Sequence, residues 1–275
     1  MNNLNHNFIS AADFSSSPFG NITLNIIASI IFAIAVAILA NRRRLRLFLE
    51  AKIRPNRKIR VSISALLRKK HGNKLLLIKN INRPDSYGPI GGAYKYYNGA
   101  TGVFRQLEFE PQQGQNKYKA LDKDIRGFLP YKNLVKFIKW FEGETDRELD
   151  CMQRELQEEL IEINKKDAYD KLKNPKFKII RKVHDGPYKV HGYDYWQYSI
   201  FHIFEFVPDY LESVNAEEIL FQEANGCESL IYVTEDDIKK GRAENGLSIG
   251  SHCSFLLGAS RIGRYDSPYR IIANA

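Results

Sequence analysis

Nothing constrains this chain more than residues 22–40, ITLNIIASIIFAIAVAILA, an uncharged run interrupted only by Thr23, Asn25 and Ser29. A helix of that length rises about 28 Å, close to the hydrocarbon thickness of a bilayer. A cleaved signal peptide carries basic residues before its apolar run and a small-residue cleavage site after it. Here residues 1–21 contain no Lys or Arg, and the run is followed by NRRRLR. The sequence therefore predicts a single membrane-spanning helix. Basic residues stay on the cytosolic side, so the N-terminus is expected outside and everything after residue 41 in the cytosol. The expected division is a short extracytoplasmic tail (1–21), the span (22–40), a basic juxtamembrane linker (41–57) and a cytosolic domain (58–275).

A net charge of +9 would ordinarily raise nucleic acid as a partner, so its location matters. Arg42, Arg43, Arg44, Arg46, Lys52, Arg54, Arg57, Lys58 and Arg60 stand against the single Glu50, and residues 61–275 carry only +2. The basic stretch is accounted for by its position beside a lipid bilayer, where each cation contributes on the order of 1 kcal/mol. Polymeric nucleic acid is not expected as a partner. Cys151, Cys227 and Cys253 are too few and too scattered for a disulfide framework or a zinc site.

Beyond the basic stretch, residues 58–69 and 74–79 are β-branched or aliphatic runs separated by His71-Gly72-Asn73, which predicts a hairpin. GPIGG at 88–92 permits a tight turn or a close backbone approach at Gly91 and Gly92. Residues 93–140 read as an aromatic insertion, with the polar stretch PQQGQNK at 111–117 and an amphipathic run through Leu134, Val135, Phe137, Ile138 and Trp140. Strands are expected at 176–183, 193–207 and 229–234, the last running into the acidic helix start EDDIKKG. Strands on both sides of a central helix predict a mixed α/β (α+β) sheet domain. His184, His191 and His202 read as packed or surface groups, and Tyr193, Tyr195 and Trp196 as core before stacking platform.

The sharpest feature is LDCMQRELQEELIEI, residues 149–163. On a helical wheel Leu149, Met152, Leu160 and Ile163 fall within about 40° of Leu156, a core-facing stripe. Glu148, Glu155, Glu158, Glu159 and Glu162 share the flank beside it. Like charges three and four residues apart repel, so the flank needs a neutralising partner, and a hard divalent cation is one that suits carboxylates. The plainer alternative is a solvated acidic face beside Arg147 and Arg154.

The order Arg154-Glu155-Leu156-Gln157-Glu158-Glu159 resembles the Nudix box, Arg-Glu-apolar-any-Glu-Glu on a helix that follows a Gly-rich loop. GPIGG stands where that family has its Gly-Gly turn, and the resemblance covers most of residues 58–260. It implies a Nudix-like mixed-sheet α/β/α sandwich. It also implies that Glu155, Glu158 and Glu159 bind Mg²⁺ or Mn²⁺, with Arg154 orienting them as part of the catalytic set, and that Gly91 and Gly92 belong to the cofactor-binding turn. The sequence departs from the pattern at Ile161, where the family has glycine, and at Glu162, where it has an apolar residue. The upstream acid is Asp146 rather than Glu, Trp140 stands for its companion glycine, and about 50 residues separate the Gly-Gly turn from the acidic helix.

A membrane span followed by such a domain with a long insertion is similar to the SMODS-associated Nudix proteins, effectors of bacterial cyclic-oligonucleotide (CBASS) antiphage systems. That resemblance implies a single-pass protein of the bacterial inner membrane that senses a cyclic oligonucleotide, self-associates in the membrane and triggers membrane disruption or cell death. Two alternatives stand beside it. One is a metal-dependent hydrolase of a nucleoside diphosphate linked to another group, to which Glu228 could add a ligand. The other is a membrane-tethered interaction module without chemistry.

Overall fold

The structure is a computed structural model that describes residues 18–112, 123–172 and 174–258. The chain forms two compact units, 1–53 and 54–275. The first is built on one helix, α1 (Pro18–Ile53). Proline suits the first position of a helix, where its missing N–H costs nothing, and Pro55 disfavours helical backbone at the residue before it. The helix thus continues without a break from the apolar run through the basic stretch, about 54 Å in all. Within it Ile22–Leu39 has a mean hydropathy of 2.7 and no buried residue. Ser29 Oγ donates to Asn25 O at 2.8 Å, keeping that hydroxyl satisfied inside the helix.

The second unit holds two mixed sheets. In the first, β1 (Lys58–Leu67) pairs in parallel with β9 (Trp196–Phe206) and antiparallel with β5 (Gly91–Ala93) and β7 (Arg126–Pro130). β6 (Glu110–Pro111) extends it beyond β7, and β8 (Phe177–Lys189) beyond β9. The second sheet runs β10 (Leu230–Thr234), β3 (Lys74–Lys79), β4 (Ser86–Gly88), β11 (Ser248–Ile249), with β2 (Lys70–His71) paired to β3. The predicted long hairpin is therefore corrected. Residues 58–67 and 74–79 lie in different sheets, and only the short Lys70–His71 segment folds back on β3 around the Gly72 turn. The strands at 177–189, 196–206 and 230–234 match the sequence reading.

The faces of β1 decide the layering. Ile59, Val61, Ile63 and Ala65 are fully buried on one face, where α3 (Leu134–Glu142) and the acidic helix α4 (Cys151–Glu162) supply Leu134, Phe137, Phe141, Met152, Leu156 and Leu160 to the core. On the opposite face Leu66, with Ile203 and Phe201 of β9, packs against Leu75, Leu77, Tyr87 and Val233 of the second sheet. The outer side of that second sheet carries α6 (Leu211–Gly226), whose Phe221 stacks on His71 at 4.0 Å and meets Tyr232 at 5.9 Å. Helices thus flank a sandwich of two sheets, the mixed α/β architecture expected. The insertion is woven into the first sheet through β6 and β7 and contributes α2 (Ala100–Gln106) as well as α3. Most of its polar stretch, 113–117, lies outside the described residues. The predicted EDDIKK helix, α7 (Glu235–Lys240), forms with Thr234 and Asp237 as a reciprocal capping box and Gly241 in the left-handed conformation as its stop.

Candidate functional site

The acidic helix begins at Cys151, so Leu149 and Glu148 are not on it as the wheel placed them. Leu149 is exposed. The segment before the helix runs beside Lys95: Glu148 N donates to Lys95 O at 2.9 Å, and Lys95 N donates to Glu148 Oε2 at 3.1 Å. This pairing swings the Glu148 carboxylate into the domain, where it is buried.

Arg154 is the hub. Its Nε and Nη2 form a fork on Glu148 Oε1 and Oε2 at 2.7 and 2.9 Å. Nη1 donates to Glu155 Oε1 at 2.7 Å and Glu158 Oε2 at 3.2 Å, and Nη2 also donates to the Ala93 carbonyl at 2.8 Å. One guanidinium thus ties three carboxylates to the edge of β5, the two-pronged geometry for which arginine is suited. Lys95 Nζ adds a longer contact to Glu158 at 3.7 Å. Glu159 is half-buried on the same flank, one turn beyond Glu155.

The glycine turn exists for close approach. In β5, Gly91 has φ +143 and a Cβ there would come within 2.1 Å of Ala65 O, while a Cβ on Gly92 would come within 2.2 Å of Glu155 Oε2. The Glu155 carboxyl therefore rests directly on the Gly92 backbone. Burial pushes it up to about 7, with Arg154 opposing the rise and the negative charges of Glu158 and Asp124 adding to it. Asp124 is held above the ordinary aspartate range by burial, against the pull of Arg126, Lys95 and Arg154. It reaches this cluster through an isolated bridge with Lys95. No periodicity announces Asp124 in the sequence. Gly91 and Gly92 also line a cleft of about 260 Å³ together with Arg126, Asp185, Tyr188 and Gln197.

Other sequence candidates lie elsewhere. Asp146 packs its carboxylate against Gly99, so the upstream acid that reaches Arg154 is Glu148. Glu228 is exposed before β10 in the second sheet and gives only its carbonyl to Tyr87 Oη, at 2.9 Å. His202 is buried, with Nδ1 hydrogen-bonded to Tyr94 Oη at 2.9 Å, while His191 is exposed. Trp196 lies under the Arg57 guanidinium at 4.7 Å, and Tyr195 meets Phe128 edge-on at 5.4 Å.

A divalent metal needs several oxygen donors converging on one point. Among the described residues no group of three or more His, Cys, Asp or Glu is so placed. The carboxylates of Glu148, Glu155 and Glu158 converge on Arg154 instead, and in this arrangement they do not fit a metal ion. The family described as SMODS-associated NUDIX domain matches residues 58–257, the segment that carries this network. No curated protein and no solved structure matches the chain.

Proposed function

The chain belongs to the SMODS-associated NUDIX family, and from that premise we propose that it is a membrane-anchored effector of a CBASS-type antiphage system. In this reading the Nudix-like domain binds a cyclic oligonucleotide, and α1 anchors the protein in the bacterial inner membrane, N-terminus outside. Ligand binding promotes self-association in the membrane and disruption of the bilayer. The observation that carries the reading is the combination in one chain of a family domain with a helix whose Ile22–Leu39 window is apolar and unburied throughout. The closed Arg154 network fits a domain that binds and transmits better than one poised for turnover, because its acidic groups already hold a cation. Titration of the full chain in detergent micelles with cyclic di- and trinucleotides tests the proposal. Saturable binding of one of them supports it, and the absence of binding across the panel rejects it.

One observation favours a second reading, the metal-dependent hydrolase of nucleoside diphosphates linked to another group. Glu155 is desolvated beside Glu158 and Asp124, and Mg²⁺ or Mn²⁺ would relieve that arrangement if Arg154 gave way. Hydrolysis of ADP-ribose or a dinucleoside polyphosphate that disappears in the Glu158→Gln/Glu159→Gln double variant would establish it. Turnover unchanged by those substitutions would exclude it.

A further inference from the structure

The face of the first sheet that packs on the second sheet is apolar along only half its length. From Leu66, Ile203 and Phe201 it joins the core between the sheets. Toward the other end of the strands the same face turns polar. The register places Arg60 beside Gln197 and Phe128, Ser62 beside Ser199 and Arg126, and Ser199 beside Asp185. An extra residue in β8 between Asp185 and Tyr188 brings both of them onto this face, since they pair with Ser199 and Gln197, two residues apart on β9. The 260 Å³ cleft opens here.

Two guanidinium groups on this surface are poorly matched. Arg60 donates to Gln112 Oε1 at 2.9 Å and to Gln197 Oε1 at 3.0 Å, both neutral, and it meets no carboxylate among the described residues. Its neighbour Arg126 has only a 3.7 Å contact with Asp124, and its Nε is buried without a hydrogen bond. Burial, together with the like charge of Arg126, lowers the pKa of Arg60. Two half-buried cations side by side, with only the 3.7 Å contact to Asp124 to offset them, are costly unless a ligand brings the charge. Asp185 lies across the cleft on β8, three strands from Arg126 and so about 14 Å away. The cleft thus offers Arg126 at one end, with Arg60 beside it on the same face, and at the other the buried carboxylate of Asp185 next to the Tyr188 ring.

We propose that this polar half-face is a nucleotide subsite in which Arg60 and Arg126 hold a phosphate, while Asp185 accepts from the N–H edge of a base lying against Tyr188. Arginine pairs with phosphate through two parallel N–H donors, and a base supplies both a donor edge and a ring to stack. The cleft lies just below the usual range of ligand-pocket volumes, so it takes at most one nucleotide unit and leaves the remainder of a larger ligand outside. The inference deepens the ligand-binding reading above and rests on it for the ligand's class, but its location rests on the two arginines alone.

The test is calorimetric titration of the full chain in detergent micelles with ADP, GDP, CDP, UDP, inorganic pyrophosphate and adenosine, alongside the cyclic panel. At least one nucleotide is expected to bind, about tenfold or more weakly in Arg60→Gln and in Arg126→Gln, with Arg60→Lys and Arg126→Lys in between. Lys239→Gln, at an exposed position on α7 outside the cleft, should bind as the parent does, and unchanged melting temperatures would confirm that the variants are folded. If a cyclic oligonucleotide binds the arginine variants as tightly as the parent, the subsite is wrong and the effector reading survives. If nucleoside diphosphates bind through the arginines and no cyclic compound binds, the subsite stands and the effector reading falls. Failure of every phosphate-bearing probe to bind overturns the subsite.

Discussion

The carboxyl group of Glu155 occupies the space where residue 92 would carry a side chain, 2.2 Å from the position of a Cβ on Gly92. The Glu155 carboxyl can lie this close to β5 only because residue 92 is glycine. Gly92→Ala should therefore destabilise the domain by about 1–3 kcal/mol, the usual cost of overpacking. Combining it with Glu155→Ser should recover much of the loss. A double-mutant cycle of denaturation midpoints measures this, and strictly additive effects would show that the two residues do not share the space.

Arg154 neutralises Glu148, Glu155 and Glu158 together. Its replacement by Met leaves two largely buried carboxylates, Glu148 and Glu155, without their cation, a loss of roughly 3–5 kcal/mol by comparison with other broken buried pairs. The loss should be smaller at pH 5.5 than at pH 8, because Glu155, raised to about 7 by burial, is protonated at the lower pH and leaves one stranded charge fewer. Arg154→Met should also bind Mn²⁺ more tightly than the parent, since the cation that competes for the same oxygens has gone. Isothermal titration with Mn²⁺ checks this, and equal affinities would mean that Arg154 does not guard the acidic flank.

The acidic helix and its buried stripe of Met152, Leu156 and Leu160 were legible because a period of 3.6 is a local property. Glu148 was not. Its position depends on Lys95, 53 residues away in sequence, which pairs with the backbone and carboxylate of Glu148 and keeps it off the helix. The same limit explains the hairpin. The strands at 58–67 and 74–79 carry the right composition, but which sheet each joins is fixed by β9 and β10, more than 100 residues downstream. Arg60 and Arg126 look like solvent-face residues of alternating strands, and only the second sheet and the turn at 251–257 reveal that this face is half covered.

Stability in acid should depend on His202. Burial, with help from Lys182, Arg147 and His184, lowers its pKa to about 3, whereas an unfolded histidine titrates near 6.5. The unfolded state therefore binds the proton first, and stability is lost as pH falls from about 6.5 toward 3. Glu155, raised to about 7, acts in the opposite sense and loses stability as pH rises through its window from the ordinary glutamate range. Because the two overlap, the variant comparison is the informative one. His202→Gln keeps a polar partner for Tyr94 and should lose less stability than the parent between pH 7.5 and pH 5 in urea unfolding. Parallel pH profiles for the two proteins would rule out this role for His202.

The orientation proposed for α1 rests on the same positions that argue for a span. Arg42, Arg43, Arg44 and Arg46 follow the Ile22–Leu39 window directly, and residues 1–21 carry no Lys or Arg, so the positive end is expected in the cytosol. In a Cys227→Ser background, where Cys151 and Cys253 are buried, a cysteine at Ser16 and one at Asn56 become separate reporters. A membrane-impermeant maleimide should label Ser16→Cys in spheroplasts and Asn56→Cys only after lysis. Ile30→Asp places a charge near the middle of the span at a cost of about 3 kcal/mol, and the protein should then shift toward the soluble fraction on carbonate extraction. Labelling of Asn56→Cys in intact spheroplasts would reverse the topology. A mature chain that begins after residue 40 would identify the apolar run as a cleaved leader, and would remove the anchor on which the effector reading depends.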